Sequence, residues 1–391
     1  MKNILSIFLL FFVVNTSSAT DLLVRIFSTE TIRQADLSCV TGQYRITDEN
    51  GNEIIVLNEN DSITLYAKIA GVRVVKHGSE LGVFEKITVM GDRLNTMFRI
   101  TPKDPSIRSR IYYDHLEISV VNNALRFINI VNIENYIAGV VQSEVRGVQV
   151  GGIPADLDFF KIQAIISRTY AMRMINKHRS EGFNLCDGVH CQAYFGRNVI
   201  PVILEAARAT AGMVVVDENS NLILASFHAN SGGQTKNSED AWVTAVPYLR
   251  SIADTFSFGM PGSTWQREFS IDEWLNGLQR HYGYDINDPV KRTNALNFVQ
   301  DERKTHFHEN IRLRDIRRDF NLRSTFFSVR QEGNRVILDG RGFGHGVGLS
   351  QEGAARKIRE GFSVEEVLQF YYQGVRVVRI DDLFEGQEQQ F

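Results

Sequence analysis

One glutamate lies on the apolar side of a predicted helix. Residues 132–145, NIENYIAGVVQSEV, predict a helix that begins near Asn132, because asparagine is a favoured N-cap residue. A carboxyl on an apolar face must be neutral, paired or functional, because burying it ionised and unpaired is costly. The helical period puts Glu144 on one stripe with Ile133, Tyr136, Ile137, Val140 and Val141.

Two interpretations of Glu144 follow from this position. Desolvation raises the pKa of a carboxyl and favours the neutral form that a general acid needs, for example to protonate the leaving oxygen in glycosidic cleavage. The alternative is a structural glutamate paired with an arginine such as Arg168 or Arg173. Spacing alone does not separate the two.

A second group of residues has the types and spacing of a metal site. Two imidazoles and two thiolates suit a tetrahedral zinc ion, and a metal held by all four is structural because no coordination position stays open. The chain has three cysteines, too few for a disulfide scaffold. A Cys186–Cys191 disulfide is the alternative in an oxidising compartment, and a zinc-activated water is a less favoured one. The four candidate ligands are His178, Cys186, His190 and Cys191.

A glycine-rich loop between residues 340 and 354, GRGFGHGVGLSQEGA, is a third candidate site. Glycine lets backbone approach a ligand closely, and loops carry binding residues more often than strands do. The spacing fits neither a dinucleotide fingerprint nor a P-loop. A tight turn that caps a helix is the alternative role for each residue. The side chains expected to bind substrate are Arg341, His345, Ser350 and Gln351.

The segment FHANSGGQT at residues 227–235 contains a histidine and a serine close together. A Ser231 nucleophile with His228 as its base is conceivable, but the GxSxG elbow of serine hydrolases is missing. We therefore expect His228 and Ser231 to belong to a polar turn that lines the cleft.

Short β-rich segments precede the first helix. They contain no catalytic constellation, so the region from Asp21 to about Ile130 is interpreted as a β-rich framework or wall-facing module. Turn-forming residues separate them. The predicted strands are LLVRIF, GQYRIT, SITLYAKI, FEKITVM, HLEISVV and LRFINIV.

The predicted fold class is α+β, with a β-rich N-terminal part and a mixed α/β catalytic region around a central cleft. A second helix is expected from about Asp156 to Lys177, after a Gly-rich connection from Gly147 to Pro154. The predicted parts are a signal peptide (1–19), the β-rich part (20–130), a first core half with Glu144 and the His/Cys cluster (131–254), a helical insertion or subdomain (255–323), a second core half with the GHG loop (324–380) and an acidic tail (381–391).

Two capping boxes and one hairpin are predicted further along the chain. Ser270 with Glu273, and Ser363 with Glu366, have the spacing that starts a helix. The segments FFSVR and RVILDG predict a hairpin around Glu332-Gly333-Asn334.

The N-terminus has the pattern of a secretory signal. A short basic start precedes an apolar run from Ile4 to Val14, and small residues follow up to Ala19. The run is too short to span a bilayer as a mature helix, so we expect an exported protein of the periplasm or cell surface; a buried N-terminal helix is the alternative. The net charge of −3 offers no basic surface for nucleic acid.

Taken in order, several motifs resemble a known family, stage II sporulation protein D (SpoIID) together with the LytB amidase enhancers. The resemblance covers most of the chain, is weakest around residues 255–323 and depends on the ordered set of motifs. The motifs are ENYIAGVVQSEV (134–145), KIQAIISRTYAMRM (161–174), LCDGVHCQAYFG (185–196), FHANSGGQT (227–235), GRGFGHGVGLSQEGAA (340–355) and VLQFYYQGVRV (367–377).

The resemblance implies a lytic transglycosylase that cleaves peptidoglycan, preferably strands whose stem peptides have been removed. It implies that Glu144 is the catalytic acid/base and that the His/Cys cluster is the zinc site of zinc-binding members. This chain departs from the family's usual Met-Pro after the glutamate, because Val145-Arg146 and a longer Gly-rich stretch stand there.

Two functions are therefore expected from the sequence. The first is an exported enzyme that cleaves the MurNAc–GlcNAc bond of glycan strands and leaves 1,6-anhydroMurNAc ends, with Glu144 serving as acid and then as base. The alternative is a non-catalytic, wall-binding activator of an N-acetylmuramoyl-L-alanine amidase, as the enhancer branch suggests.

Overall fold

The computed structural model describes residues 21–92, 96–147, 156–188, 190–242, 244–308 and 310–385. Its mixture of sheets and helices confirms the α+β class, with a β-rich N-terminal part. The predicted signal peptide, the Gly-rich connection from residue 148 to Pro154 and the end of the acidic tail lie outside the described residues. Among the described residues, the helices are too short or too polar to cross a bilayer.

Strands dominate the chain up to Asn132. All six predicted strands are present, and they bury alternate residues as half-buried strands do. The strands are β1 Asp21–Ile26, β2 Gln34–Thr41, β3 Tyr44–Thr47, β4 Glu53–Leu57, β5 Ser62–Lys68, β6 Gly71–Lys76, β7 Ser79–Phe84, β8 Lys86–Gly91, β9 Met97–Asp104, β10 Arg110–Tyr113, β11 His115–Val121 and β12 Ala124–Asn132.

The sequence prediction missed several of these strands. β9 contains Pro102, which argues against a strand, and β2 alternates through small and polar residues such as Ser38. The two strands nevertheless pair, with Ala35 opposite Pro102 next to an irregularity in the register. The irregular register accommodates Pro102, which has no N–H to donate to the neighbouring strand.

The remaining elements alternate between helices and short strands. They are α1 Ile133–Gly147, α2 Leu157–Arg173, β13 Leu185–Cys186, α3 Pro201–Ala209, β14 Met213–Val216, β15 Phe227–His228, α4 Ser238–Ala241, β16 Thr264–Ser270, α5 Ile271–Tyr282, α6 Pro289–Leu296, α7 Leu313–Asp319, β17 Phe326–Glu332, β18 Arg335–Arg341, β19 Leu349–Ser350, α8 Gln351–Arg359, α9 Val364–Tyr371, β20 Arg376–Arg379 and α10 Asp382–Glu385.

Several predicted helix starts are confirmed by their caps. The Asp156 side chain accepts a hydrogen bond from the Asp158 N–H at the start of α2, and Ser270 accepts one from Glu273 at the start of α5. Ser363 and Glu366 form a complete capping box before α9. The predicted end of α2 at Lys177 is wrong, because the helix ends at Arg173 and the chain continues in turns.

Two large sheets form the β-rich part, in the orders β13-β1-β12-β11-β8-β3-β4 and β10-β9-β2-β5-β6-β7. β13 comes from the predicted metal-binding segment and lies parallel to β1, with Val24 opposite Leu185 and Arg25 opposite Cys186. The β-rich part therefore holds one edge of the His/Cys segment directly.

Helix α2 is shared between two hydrophobic cores. Phe159, Phe160 and Ala164 pack in the core that contains α1 and the two large sheets. Ile162 and Ile166 pack in a second core with α8, α9 and β14. A helix that is apolar on several sides is typical of a buried position, and α2 therefore joins the two halves of the chain.

The segment from residue 255 to 323, predicted as a helical insertion or subdomain, contains α5, α6 and α7 together with one strand. It contributes β16, which pairs with β18 in the sheet order β16-β18-β17. β17 and β18 form the predicted hairpin across Gly333 and Asn334. A third core around Trp274 fills the space between this sheet and α5, α6 and α7. The segment thus shares a sheet with the chain that leads into the Gly-rich loop.

Candidate active site and metal cluster

Helix α1 carries Glu144 near its C-terminal end. The stripe residues from Ile133 to Val141 are buried as predicted, and Asn132 caps the helix by accepting a hydrogen bond from the Glu134 N–H at 2.9 Å. Glu144 is half-buried, and its Oε1 accepts a hydrogen bond from the Ala193 N–H at 3.1 Å. Burial raises the pKa of this carboxyl above its ordinary value, and the hydrogen bond from Ala193 opposes the rise.

The suggested arginine partners of Glu144 bind elsewhere. Arg168 forms a bidentate ion pair with Glu134, which lies in the first turn of the same helix, and Arg168 Nε lies 3.0 Å from Glu134 Oε1. Arg173 donates to the backbone carbonyl of Leu222. The alternative in which either arginine pairs with Glu144 is therefore not present in the structure, and burial accounts for the raised pKa of Glu144.

The segment after the His/Cys cluster runs along the end of α1. Ser143 Oγ accepts from the Phe195 N–H at 3.1 Å, and Gln142 Oε1 accepts from the Val199 N–H at 2.7 Å. Gly139 permits this approach, because a Cβ there would lie 2.6 Å from the Gly196 carbonyl oxygen. The polar side chains on the last turns of α1 thus fix the backbone beside Glu144.

The predicted metal ligands converge. One ligand atom from each of the four residues lies within 4.8 Å of the others, with Cys191 Sγ 3.5 Å from His178 Nε2 and Cys186 Sγ 3.8 Å from His190 Nδ1. Both cysteines are free thiols, so the alternative of a Cys186–Cys191 disulfide is not present in the structure.

The chemistry of this cluster fits zinc. His178 Nδ1 lies 2.6 Å from a carboxylate oxygen of Glu181, which directs Nε2 toward the cysteines. A carboxylate behind a ligating histidine is the usual support of a zinc ligand, because it sets the tautomer and ring orientation. Two nitrogen and two sulfur donors complete a tetrahedral set.

Asp187 fastens the cluster to the β-rich part. Its side chain, which is 4% exposed, accepts hydrogen bonds from the Phe27 N–H at 2.7 Å, the Ser28 N–H at 2.9 Å and the Arg110 guanidinium at 2.8 Å. Sequence reasoning missed this residue, because an aspartate beside a cysteine gives no local sign of partners that are distant in sequence.

The Gly-rich loop crosses the SGGQT segment. β15 pairs in parallel with β19, and Phe343 exchanges backbone hydrogen bonds with Asn230. Gly342 has a φ of +77°, and a Cβ there would lie 2.7 Å from the Asn230 carbonyl oxygen, so only glycine suits this crossing. The structure thus brings together the two segments that were singled out separately.

Several predicted binding residues of this crossing are buried and already have partners. Ser350 caps α8, and Gln351 donates from Nε2 to Gln163 Oε1 on α2 at 3.0 Å. The Ser231 hydroxyl lies 2.7 Å from a carboxylate oxygen of Asp254, not beside His228. These contacts give each residue a structural role, and their roles in substrate binding stay predictions.

The other predicted binding residues, Arg341 and His345, lie in a region that is rich in basic side chains. Arg341 donates to the carbonyls of Gln300 and Asp301 at 2.8 Å and stacks on a phenylalanine ring. His345 is half-buried, and its ring centroid lies 5.5 Å from that of His228 and equally far from that of Trp242.

Burial and neighbouring positive charges lower the pKa values of His345, His228 and Lys236. Burial, assisted by the Arg317 charge, lowers the pKa of His345 to about 4, and burial lowers the pKa of His228 well below its ordinary value. Burial beside Arg303 lowers the pKa of Lys236 to about 8. Both histidines are therefore neutral at pH 7.

The two sites are bordered by different segments of the chain. Glu144 is bordered by the segment that follows the His/Cys cluster, whereas the Gly-rich crossing reaches α2 through the Gln351–Gln163 hydrogen bond. Among the described residues, the contacts around Glu144 come from the first of these two regions.

Part of the chain is similar to a known protein family. Residues 121–216 match the family model described as SpoIID, stage II sporulation protein. This part of the chain is therefore similar to a SpoIID domain. This domain begins at the end of β11, continues through α1, α2 and the His/Cys segment, and ends with β14. Glu144 and all four cluster residues lie inside it.

Relatives extend the similarity beyond the SpoIID domain. Stage II sporulation protein D of Bacillus subtilis is 27% identical over 291 residues, which are 68% of this chain and 80% of the relative. The protein of the same name from Bacillus amyloliquefaciens is 29% identical over 272 residues, 64% of this chain and 75% of the relative. An amidase enhancer of Bacillus subtilis is 25% identical over 284 residues, 59% of this chain and 39% of the relative. The resemblance to the SpoIID and LytB proteins is confirmed.

Proposed function

We propose that this protein is a peptidoglycan lytic transglycosylase that cleaves the MurNAc–GlcNAc bond of denuded glycan strands. The observation that carries the proposal is the half-buried Glu144, whose pKa is raised by burial and which accepts one hydrogen bond from the Ala193 N–H. A carboxyl that keeps its proton near working pH is the general acid that glycosidic cleavage needs.

One carboxyl serves both halves of this reaction. Glu144 gives its proton to the glycosidic oxygen as the C1–O bond of MurNAc breaks and positive charge develops on the ring. The resulting carboxylate takes the proton of the MurNAc C6 hydroxyl, whose oxygen bonds to C1 and closes the 1,6-anhydro ring. The reaction consumes no water, and Glu144 is protonated again when it ends. A second carboxylate to activate water is not required.

The His/Cys cluster supports this site without taking part in the chemistry. His178, Cys186, His190 and Cys191 would hold a zinc ion, which supplies rigidity to the loop when bound. The same loop continues to Ala193, whose N–H contacts the acid. The cluster therefore acts as a positioning element for Glu144.

Six further side chains are proposed to bind the glycan strand. The predicted substrate-binding group consists of Arg341, His345, Ser350 and Gln351 in the second core half and of His228 and Ser231 in the first. The N-terminal segment directs export to the periplasm or cell surface, where glycan strands are the partner.

The direct test is Glu144→Gln on denuded glycan strands, with products separated by mass spectrometry. We expect 1,6-anhydro products to fall by at least about a hundredfold, because loss of a general acid typically costs 10² to 10⁴ in rate. Glu360→Gln is a matched control, since Glu360 lies on the surface end of α8 and pairs only with Arg356 among described residues. Unchanged product formation in Glu144→Gln would exclude the proposal.

The match to an amidase enhancer favours one second candidate, a non-catalytic activator of a cell-wall amidase. An activator raises the turnover of an N-acetylmuramoyl-L-alanine amidase and forms no anhydro ends by itself. Amidase turnover measured with wild-type protein and with Glu144→Gln separates the two functions. Equal stimulation by both proteins, with no anhydro products from either, supports the activator and contradicts the transglycosylase.

A further inference from the structure

A groove rich in arginine lies next to the segment that borders Glu144. It has a volume of about 730 Å³ and is formed by β9, by the chain around β10, by α1 and by residues 195–199. Among the described residues that line it, carboxylates are missing, although the whole chain has a net charge of −3. The four arginines of the groove are Arg99, Arg108, Arg110 and Arg197.

Three of these arginines have no ion-pair partner among the described residues. Arg108 is exposed, Arg99 is half-buried on β9, and neither has an ion-pair partner among the described residues. Arg197 is fixed by its backbone, which bonds to Ile111 and Gln142, and its Nε is buried without a hydrogen-bond partner in the described structure. A buried N–H of this kind is costly unless a ligand accepts from it.

The fourth arginine has a different role. Arg110 pairs with Asp187 and lies over the Phe195 ring, with its guanidinium carbon 5.0 Å from the ring centroid. Phe195 is 48% exposed at the groove and offers an apolar face. The groove therefore combines free guanidinium groups with one exposed ring that is held in place.

The groove and the acid share one stretch of chain. The Phe195 N–H bonds to Ser143 Oγ, and Ser143 precedes Glu144 on α1. Gln142, which lines the groove, accepts from the Val199 N–H. A ligand that fills the groove thus extends along the end of α1 that carries Glu144.

We propose that this groove binds the free lactyl carboxylates of denuded glycan strands, in a proposal that rests on the glycan substrate proposed above. Guanidinium groups bind carboxylates through charge-assisted and often bidentate hydrogen bonds. In an intact strand the same carboxyl is joined to a stem peptide as an amide, which is neutral and bulky. The arginine groove therefore selects strands from which the peptides have been removed.

The first test changes the ligand and leaves the groove intact. Binding of Glu144→Gln protein, which does not consume its substrate, is measured with denuded strands and with the same strands whose carboxyls are coupled to methylamine. We expect the methylamide strands to bind at least about tenfold more weakly, because charge-assisted hydrogen bonds are lost. Equal binding of the two ligands overturns the proposal.

The second test changes the groove. In the Glu144→Gln background, the combined variant Arg99→Gln, Arg108→Gln and Arg197→Gln is expected to bind denuded strands about tenfold or more weakly and methylamide strands as before. Arg45→Gln is the matched control, because Arg45 is a surface arginine of the same β-rich part. If the combined variant keeps the preference for free carboxylates, the proposal is wrong. If it does not fold, Arg108→Gln alone, at an exposed position, gives the same comparison.

The outcomes separate this proposal from the proposed function. Carboxylate-dependent binding without anhydro products from the wild-type protein supports the groove and contradicts the catalytic role of Glu144. Anhydro products formed equally well from methylamide strands, with equal binding, support the catalytic role and contradict the groove.

Discussion

The Ala193 N–H donates a hydrogen bond of 3.1 Å to Glu144 Oε1, only two residues after Cys191. The loop that carries the metal-type cluster thus also supplies the polar contact of the candidate acid. The position of the Glu144 carboxyl therefore depends on how well the loop of the His/Cys cluster is ordered.

This relationship predicts a pH dependence for activity. The pKa of Glu144 is raised by burial, so its protonated form persists to higher pH than that of an ordinary glutamate. Because protonated Glu144 is the proposed general acid, we expect kcat to fall as pH rises through this raised pKa. A pH profile of anhydro-product formation checks this, and a profile that rises through the same range contradicts it.

The same shift predicts an effect on stability. Between its unfolded and folded pKa values, the folded state binds more protons at Glu144, so this residue destabilises the protein as pH rises. Glu144→Gln should therefore melt at an equal or higher temperature than the wild type at pH 7, although we expect it to lose activity. The difference should shrink at low pH, where the wild-type carboxyl is protonated. A lower melting temperature of the variant at pH 7 would contradict this sign.

Glu134 provides the opposite case on the same helix. Its bidentate partner Arg168 is 1% exposed, and removing the negative charge leaves a buried guanidinium unpaired. We expect Glu134→Gln to lower the free energy of unfolding by about 3 kcal/mol, while product formation per folded molecule is retained. Urea denaturation and active-protein titration together check this prediction. A stable but inactive Glu134→Gln protein contradicts it.

Asp187 is expected to anchor the cluster. Asp187→Ala removes the acceptor of hydrogen bonds from the Phe27 N–H and from the N–H and hydroxyl of Ser28. It also leaves Arg110 without its carboxylate, and together these losses should cost about 3 kcal/mol of unfolding free energy. Asp315→Ala is the control, because its pair with the exposed Arg318 is worth at most about 1 kcal/mol. Equal destabilisation by the two changes contradicts an anchoring role.

The cluster itself predicts a metal requirement for stability. We expect the purified protein to contain one zinc ion, and His190→Ala or Cys191→Ser to lose it, as measured by atomic spectroscopy. A chelator should lower the melting temperature, because metal binding is coupled to the folding of its site. Cys39→Ala is the control, since Cys39 lies in β2 and not in the cluster. Unchanged melting after complete zinc removal contradicts a structural ion.

The sequence predicted the features that depend on local patterns. The apolar stripe of α1, the Ser363 capping box and the hairpin across Gly333 follow from spacing within one element, and the structure confirms them. The four candidate metal ligands also lie close together in the chain, and they converge in the fold.

The features that the sequence did not predict depend on distant partners. β13 exists as a strand because β1 offers it an edge, and Asp187 is buried because Phe27 and Ser28 donate to it. The arginine groove draws its residues from β9, β10 and the segment after the cluster, and no single element shows it. Such sites become visible only when the register of the sheets is known.

The parallel pairing of β13 with β1 has a consequence for how the chain is made. β1 is synthesised first, but the residue that pairs with Val24 on one side is Leu185, and Asp187 follows Phe27 by 160 residues. Contacts of such sequence separation slow folding. Until they form, β1 keeps one row of backbone groups unpaired, which is a template for association with other copies. A chain that stops before Leu185 should therefore aggregate rather than accumulate as a folded monomer.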